Sequence, residues 1–303
     1  PLSHPNWPNY ILGPAAMLLQ NGYLQKGFNL ALTSDIPIGA GLSSSAAVEC
    51  ATIFALDTLF SLRLERLSIA KMAQQAEHAF AGVRCGIMDQ FASVMGKKDQ
   101  VLKLDCRTLE YAYIPFRLEG IKLLLLNSNV KHSLGSSAYN TRRSECEMAV
   151  NWIKEFQPFV HTLRDVDMPM LKAYVQPKSD LIYRRAGFVV NEIRRLQEAC
   201  MDIQQGDNQS LGQKMLETHE GLSTQYEVSC RELDWLIGFV KNKPSVIGAR
   251  MMGGGFGGCT LNLVRKEYLD ELVQTVTAAY AHAMGMPLSA YVVSIEDGTS
   301  LIN

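Results

Sequence analysis

The sequence predicts a mixed α/β protein, and three observations carry that reading. Short hydrophobic stretches of strand length alternate with longer stretches of helical spacing. At residues 29–60 a strand-like stretch, a Gly/Ser-rich turn and a helix N-terminus follow one another. The 303 residues, 47% of them hydrophobic, suffice for one large domain or two ordinary ones with a sizeable core.

The elements follow in order. Pro1 to Pro8 holds three prolines and reads as a loop. Trp7-Pro8-Asn9-Tyr10 leads into a short apolar helix from Ile11 to Gln20, where Pro14 is tolerable only in the first turn. Asn29 to Asp35 alternates as a strand does. Ala46 to Phe60 has helical composition without Gly or Pro; Glu49 and Asp57 interrupt its apolar run. Leu67, Ala70, Ala73, Ala76, Ala79 and Phe80 recur at helical spacing, and Gly82 suits a C-cap. Val101–Asp105, Glu110–Pro115 and Ile121–Asn127 read as strands. A boundary near Gly120 divides the chain into 1–120 and 121–303. Ser133 to Asn140 reads as a polar turn, with a long helix from Thr141. Prolines 158, 169 and 177 break the next region into short helices. Further helices span Asp180–Gln205, Gln209–Tyr226 and Cys230–Val240. Their arginine pairs, Arg184-Arg185 and Arg194-Arg195, read as a solvated or ion-paired helix face. Val246–Met251 and Cys259–Val264 are strands around Gly253–Gly258. A helix at Lys266–Met284 and a strand at Ala290–Ile295 close the chain.

Composition removes several functions. A net charge of −1 gives no case for nucleic acid or an acidic membrane surface. No apolar stretch approaches the roughly 20 charge-free residues of a membrane span. The seven cysteines are odd in number, widely spaced and without a C-x-x-C pair. That pattern argues for reduced thiols in the cytoplasm and against a disulfide frame or zinc site. No secretory signal is visible.

The chemistry concentrates at Pro37-Ile38-Gly39-Ala40-Gly41-Leu42-Ser43-Ser44-Ser45-Ala46-Ala47. A glycine turn before a helix lets backbone amides approach an anion, and the helix adds its positive end. Ser43 or Ser44 can cap the helix, and Ser45 can offer a hydroxyl to Mg²⁺. The same residues also suit a serine-capped helix after a turn. No Lys follows the second glycine, so this is not a Walker A loop. Gly253, Gly255 and Gly258 satisfy G-x-G-x-x-G literally, but a strand follows them instead of a helix. That excludes a dinucleotide fingerprint and leaves a glycine-rich hairpin. Trp7 and Tyr10 suit two core aromatics, and Asp89 suits an N-cap for a helix starting at Gln90.

Pro37 to Ala46 resembles P-x-G-x-G-L-S-S-S-A, the phosphate loop of the GHMP small-molecule kinases. Five further stretches resemble the galactokinases within that family. They are Trp7-x-x-Tyr10; Glu77-His78 with Gly82 and Cys85-Gly86-Ile87-Met88-Asp89-Gln90; Ser137-Ala138-Tyr139-Asn140-x-Arg142-Arg143-x-Glu145-Cys146; Tyr226-Glu227-Val228-Ser229-Cys230; and Met252 to Thr260. The resemblance implies a two-lobed α/β (α+β) fold. Its N-terminal lobe is like domain 2 of ribosomal protein S5, and its C-terminal lobe is ferredoxin-like. The phosphate loop is expected at the cleft, and the last strand, near 290–296, in the first lobe.

The resemblance further implies ATP-dependent phosphorylation of galactose at its anomeric C1 hydroxyl, giving galactose 1-phosphate and ADP, the first step of galactose use by the Leloir pathway. Trp7, Tyr10, Pro37, Gly39, Ala40, Gly41, Leu42, Ser43, Ser44 and Ser45 match ATP-binding positions. Gly253, Gly254 and Gly255 match the glycine turn near the phosphate. Ser45 and Glu77 match the Mg²⁺ positions, Asp89 the catalytic carboxylate, and Gly86 and Tyr139, with Asp89, the sugar contacts. One departure stands out: the family's N-terminal signature, resembling G-R-V-N-L-I-G-E-H-T-D-Y, is not in this chain. The resemblance therefore implies activity for the full gene product rather than for this piece. Two alternatives share the fold, a non-catalytic galactose-sensing regulator and a sister kinase for another sugar or small alcohol. The intact Ser43-Ser44-Ser45-Ala46-Ala47 favours the enzyme.

Overall fold

A computed structural model describes residues 7–37, 41–83, 85–130 and 135–302. Four helices come first: α1 (Asn9–Gln20), α2 (Ser44–Phe60), α3 (Arg66–Ala76), which runs on as a π-turn over Glu77–Ala81, and α4 (Met88–Met95). Strands β1 (Gln100–Leu104), β2 (Tyr111–Pro115) and β3 (Ile121–Asn127) follow. Then come α5 (Gly135–Lys154), α6 (Met168–Tyr174), α7 (Asp180–Gln205), α8 (Asn208–Thr224) and α9 (Arg231–Val240). The chain ends with β4 (Val246–Met251), β5 (Cys259–Arg265), α10 (Leu269–Met284) and β6 (Ser289–Val293).

Contacts divide the chain into two compact units. One comprises Pro1–Ile38, Leu42–Phe116 and Ser294–Asn303; the other comprises Gly39–Gly41 and Arg117–Val293. In the first, α1 to α4 pack around Leu18, Ile53, Leu56, Ile69, Phe91 and Val94. The antiparallel pair β1–β2 lies in the same unit, with Val101 opposite Ile114. The C-terminal segment is tied in by Lys98 N–H donating to Asp297 Oδ1 at 2.9 Å and Thr299 N–H donating to Ser93 O at 2.8 Å.

The second unit is built on an antiparallel sheet of order β4-β5-β3-β6. Strand β3 is central, and its run Leu123-Leu124-Leu125-Leu126 is buried throughout. A continuous apolar run is what a strand covered on both faces requires. One core joins Leu124, Leu126, Leu236, Val264, Val276 and Tyr280; another joins Ala149, Ile153, Val160, Leu171 and Ala186 of the helical part. Helix starts are marked by side-chain caps at Asp167, Ser179 and Asp207, and Gly206 ends α7 in the left-handed region. These caps satisfy first-turn amides. Among the described residues no helix is long and apolar enough to cross a membrane.

Several expectations change. Residues 29–35 form no strand, because alternation supplies a pattern but a strand needs a paired neighbour, and no described residue pairs there. Pro14 lies inside α1 and not in its first turn; it is buried, so packing outweighs the lost hydrogen bond. Helix α5 begins at Gly135, so Ser137–Asn140 are helical and not a polar turn. The last strand pairs with β3 in the second unit, Leu125 opposite Tyr291. Only the segment after it, from Ser294, belongs to the first unit.

Candidate active site

In the second unit the glycine turn joins β4 to β5. Met252 N–H donates to Cys259 O at 3.1 Å, closing the hairpin. Gly255 has φ +86°, and a Cβ there would lie 2.1 Å from Val228 O. Both facts demand glycine. Gly41 meets this turn: a Cβ on Gly41 would stand 3.9 Å from Cys259 N, and one on Gly253 would stand 3.8 Å from Gly41 O. On the other side, the Tyr139 ring of α5 lies 3.4 Å from where a Gly254 Cβ would be. Three stretches more than a hundred residues apart in places thus converge: Gly41, Tyr139, and Gly253 with Gly254. Tyr139 remains 43% exposed. Gly39 and Ala40 lie outside the described residues. Pro37 and Leu42 are half-buried in irregular backbone.

In the first unit α2 starts at Ser44. Ser43 occupies the N-cap position with φ +53°, and no side chain caps the helix. The expected Ser43 or Ser44 cap is therefore not made, since a left-handed N-cap residue does not aim its hydroxyl at the N2 or N3 amide. Ser45 and Glu49 are four residues apart on α2 and so share a face.

Glu49 and Glu77 form, with Gln90 and Cys85, a buried polar cluster that sequence reasoning missed. Gln90 Nε2 donates to Glu77 Oε2 at 2.6 Å and to Glu49 Oε2 at 3.3 Å. Cys85 Sγ–H donates to Glu77 Oε2 at 3.2 Å. Burial first, and the Glu77 charge second, push the Glu49 carboxyl up to about 9, so it is a neutral acid at pH 7. Burial and then Glu77 likewise push the Cys85 thiol up to about 12, which makes it an inert donor. Burial first, then the charges of Glu77, Glu49 and Cys85, raise the pKa of the Tyr10 hydroxyl on α1. Trp7, three residues earlier, is 59% exposed. The available signal for Glu49 was an acid placed in an otherwise apolar helical run.

Asp89 lies in the first turn of α4, whose N-cap position is Ile87 without a side-chain cap. Asp89 is therefore not the helix cap that its sequence context allowed; the helix starts a residue before it. Among the described residues its half-buried carboxylate has no hydrogen-bond or ion-pair partner. Gly86, just upstream, is exposed, with open space where a Cβ would be.

Comparison with known proteins agrees with these motifs. Residues 9–97 match the family description "GHMP kinases N terminal domain", and residues 197–282 match "GHMP kinases C terminal". The chain is 39% identical over 296 residues to the galactokinase of Thermotoga petrophila, covering 98% of this chain and 82% of that one. It is 39% identical over 301 residues to the galactokinase of Clostridium acetobutylicum, covering 98% and 77%. The structure of Lactococcus lactis galactokinase complexed with galactose superposes with a TM-score of 0.92 at 33% identity, over 97% of this chain and 76% of that one. Methanococcus jannaschii mevalonate kinase, at 18% identity and a TM-score of 0.65, shares the fold. The chain belongs to the GHMP kinase family, among its galactokinases.

Proposed function

We propose that this protein transfers the γ-phosphoryl group of ATP to the anomeric C1 hydroxyl of galactose, giving galactose 1-phosphate and ADP. The observation that carries the reading is the meeting of Gly41, the glycine turn and the Tyr139 ring. Those groups belong to three motifs of a chain 39% identical to a galactokinase over nearly its whole length.

The C1 oxygen attacks the γ-phosphorus, the bond to the β–γ bridging oxygen breaks, and the hydroxyl proton passes to Asp89. Asp89 suits this role because no described group occupies its carboxylate. Gly86 through its backbone and Tyr139 through its hydroxyl orient the sugar, which turns proximity into rate. Amides of the loop Pro37–Ser45, including Gly39, Ala40, Gly41, Leu42, Ser43 and Ser44, hold the phosphates; Gly253, Gly254 and Gly255 approach from the other motif. The uncapped start of α2 supports this, since its first-turn amides are not taken by a side chain. Trp7 and Tyr10 line the adenine side, where an aromatic ring stacks on a purine.

Ser45 and Glu77 hold Mg²⁺ in this reading. The donors fit a hard cation: a hydroxyl and a buried carboxylate, with Glu49 Oε1 close by, buried and without a partner. An ion held by so few side chains keeps waters and substrate phosphates as its remaining ligands. When bound, Mg²⁺ neutralises phosphate charge.

The test is ADP formation by the full-length protein across a panel of sugars. Galactose is expected to be the preferred acceptor. ATP turnover with glucose or N-acetylgalactosamine but not galactose would overturn the reading. A sensing regulator would bind both ligands without forming ADP.

A further inference from the structure

We propose that the ion cluster Arg142–Glu145–Arg185–Glu227 is a positioning device for the glycine turn, acting through the backbone of Tyr226 to Val228. The inference rests on reading that turn as a lining of the nucleotide phosphates.

The segment between α8 and α9 passes behind the turn. Glu227 there has φ +56°, a left-handed conformation that a residue with a Cβ holds only when its surroundings impose it. The imposing groups are arginines. Arg142 Nε donates to Tyr226 O at 2.6 Å, and its Nη2 donates to Glu227 O at 3.0 Å. Arg185 Nη2 donates to Glu227 Oε2 at 2.6 Å, and Arg184 Nη2 to Glu227 Oε1 at 2.9 Å. Arg185 also pairs with Glu145, which accepts from Arg142 at 3.4 Å. The side chains of Arg142, Glu145 and Arg185 are 12%, 13% and 9% exposed. Paired charges so shielded are screened far less than surface pairs, and removing one member leaves its partner unmatched.

The next residue meets the turn. Val228 O accepts from Phe256 N–H at 2.6 Å. The same oxygen is the one a Gly255 Cβ would strike at 2.1 Å. A shift of Val228 therefore moves Gly255 and Phe256 directly. Helix α5 thus braces the turn twice, through the Tyr139 ring on Gly254 and through Arg142 on the segment behind it. A purely structural role, holding α5, α7 and the α8–α9 link together, would predict lost stability without a local effect on the turn.

The experiment compares Glu227→Gly and Arg185→Met in the full-length protein. Glu227→Gly accommodates the positive φ while removing the side chain that pairs with Arg184 and Arg185, so it stays folded if Arg185→Met does not. Lys214→Met is the control, since it breaks the Lys214–Asp202 pair (2.6 Å) of the same unit away from the turn. Amide exchange of residues 252–258 without ligands is expected to rise about tenfold in Glu227→Gly. kcat/KM for ATP is expected to fall about tenfold or more, with the galactose KM within about twofold. Lys214→Met should alter neither. Wild-type exchange at 252–258 in folded Glu227→Gly, or unchanged ATP kinetics, overturns the proposal. The exchange readout needs no catalysis, so failure of the kinase reading appears separately, as a wild-type protein that forms no ADP.

Discussion

Asp89 and Glu77 are where single atoms decide the outcome. Asp89 caps nothing, so Asp89→Asn costs α4 only a first-turn charge, about 0.3–1 kcal/mol. Turnover with galactose is expected to drop about 10²-fold or more while the melting temperature stays within a few degrees. Near-wild-type kcat in Asp89→Asn would remove Asp89 from the mechanism. Glu77 accepts from Gln90 and Cys85 through one oxygen, and a Gln side chain can still accept there. Glu77→Gln is expected to raise the KM for Mg·ATP well above its effect on galactose binding; steady-state kinetics against free Mg²⁺, with galactose calorimetry alongside, measures the split. An unchanged magnesium dependence would count against the metal assignment.

At the scale of elements, helix α8 and the β4–β5 hairpin show how close packing and protonation govern the turn. Gly212 of α8 lies against Gly248 of β4: a Cβ on Gly212 would sit 2.0 Å from Ile247 O, and one on Gly248 would sit 2.3 Å from Gly212 Cα. Gly212→Ala must push the helix off the strand, and a loss of about 2 kcal/mol or more is expected in urea unfolding. Two turns further along α8, Met251 N–H donates to His219 Nδ1 at 3.3 Å, which puts the imidazole proton on Nε2, 3.3 Å from Asp234 Oδ1. Burial lowers the His219 pKa below its ordinary 6.5, outweighing the opposing pull of Asp234. The folded state then holds this ring neutral where the unfolded chain protonates it. The unfolded state binds more protons in that window, so stability is full above pH 6.5 and is lost as pH falls through the lowered folded value. The wild type should melt lower at pH 5.5 than at pH 7.5. His219→Asn, which cannot titrate, should flatten that difference, and an equal slope in both proteins would rule His219 out.

For the molecule as a whole, ligand linkage is the measurable consequence. A ligand that binds only the folded state at about 100 times its Kd adds about 2.7 kcal/mol. For a chain of this size that corresponds to a rise of about 4 °C in melting temperature. Mg·ATP and galactose are each expected to give such a shift in the full-length protein, and Asp89→Asn should keep the Mg·ATP shift while losing turnover. Thermal melts with and without each ligand test this, and a flat response to both would contradict the site.

What the sequence alone determined was local. The helix Asp180–Gln205 and the strands Val246–Met251 and Ile121–Asn127 coincide with the structure, because period, caps and apolar runs are properties of neighbouring residues. The phosphate-loop and C-G-I-M-D-Q motifs were legible for the same reason, since their chemistry depends on residues close in the chain. Tertiary structure decided whatever depends on a partner far away. Residues 29–35 alternate yet pair with no described strand, and Pro14 survives inside α1 because it is buried. Glu49 becomes a neutral acid only because folding buries it and places the Glu77 carboxylate beside it. Arg185, which in sequence reads as part of a solvated or ion-paired helix face, is ion-paired but buried, and it reaches Glu227 forty-two residues on. Burial and long-range charge set these roles, and neither is a property of a window of sequence.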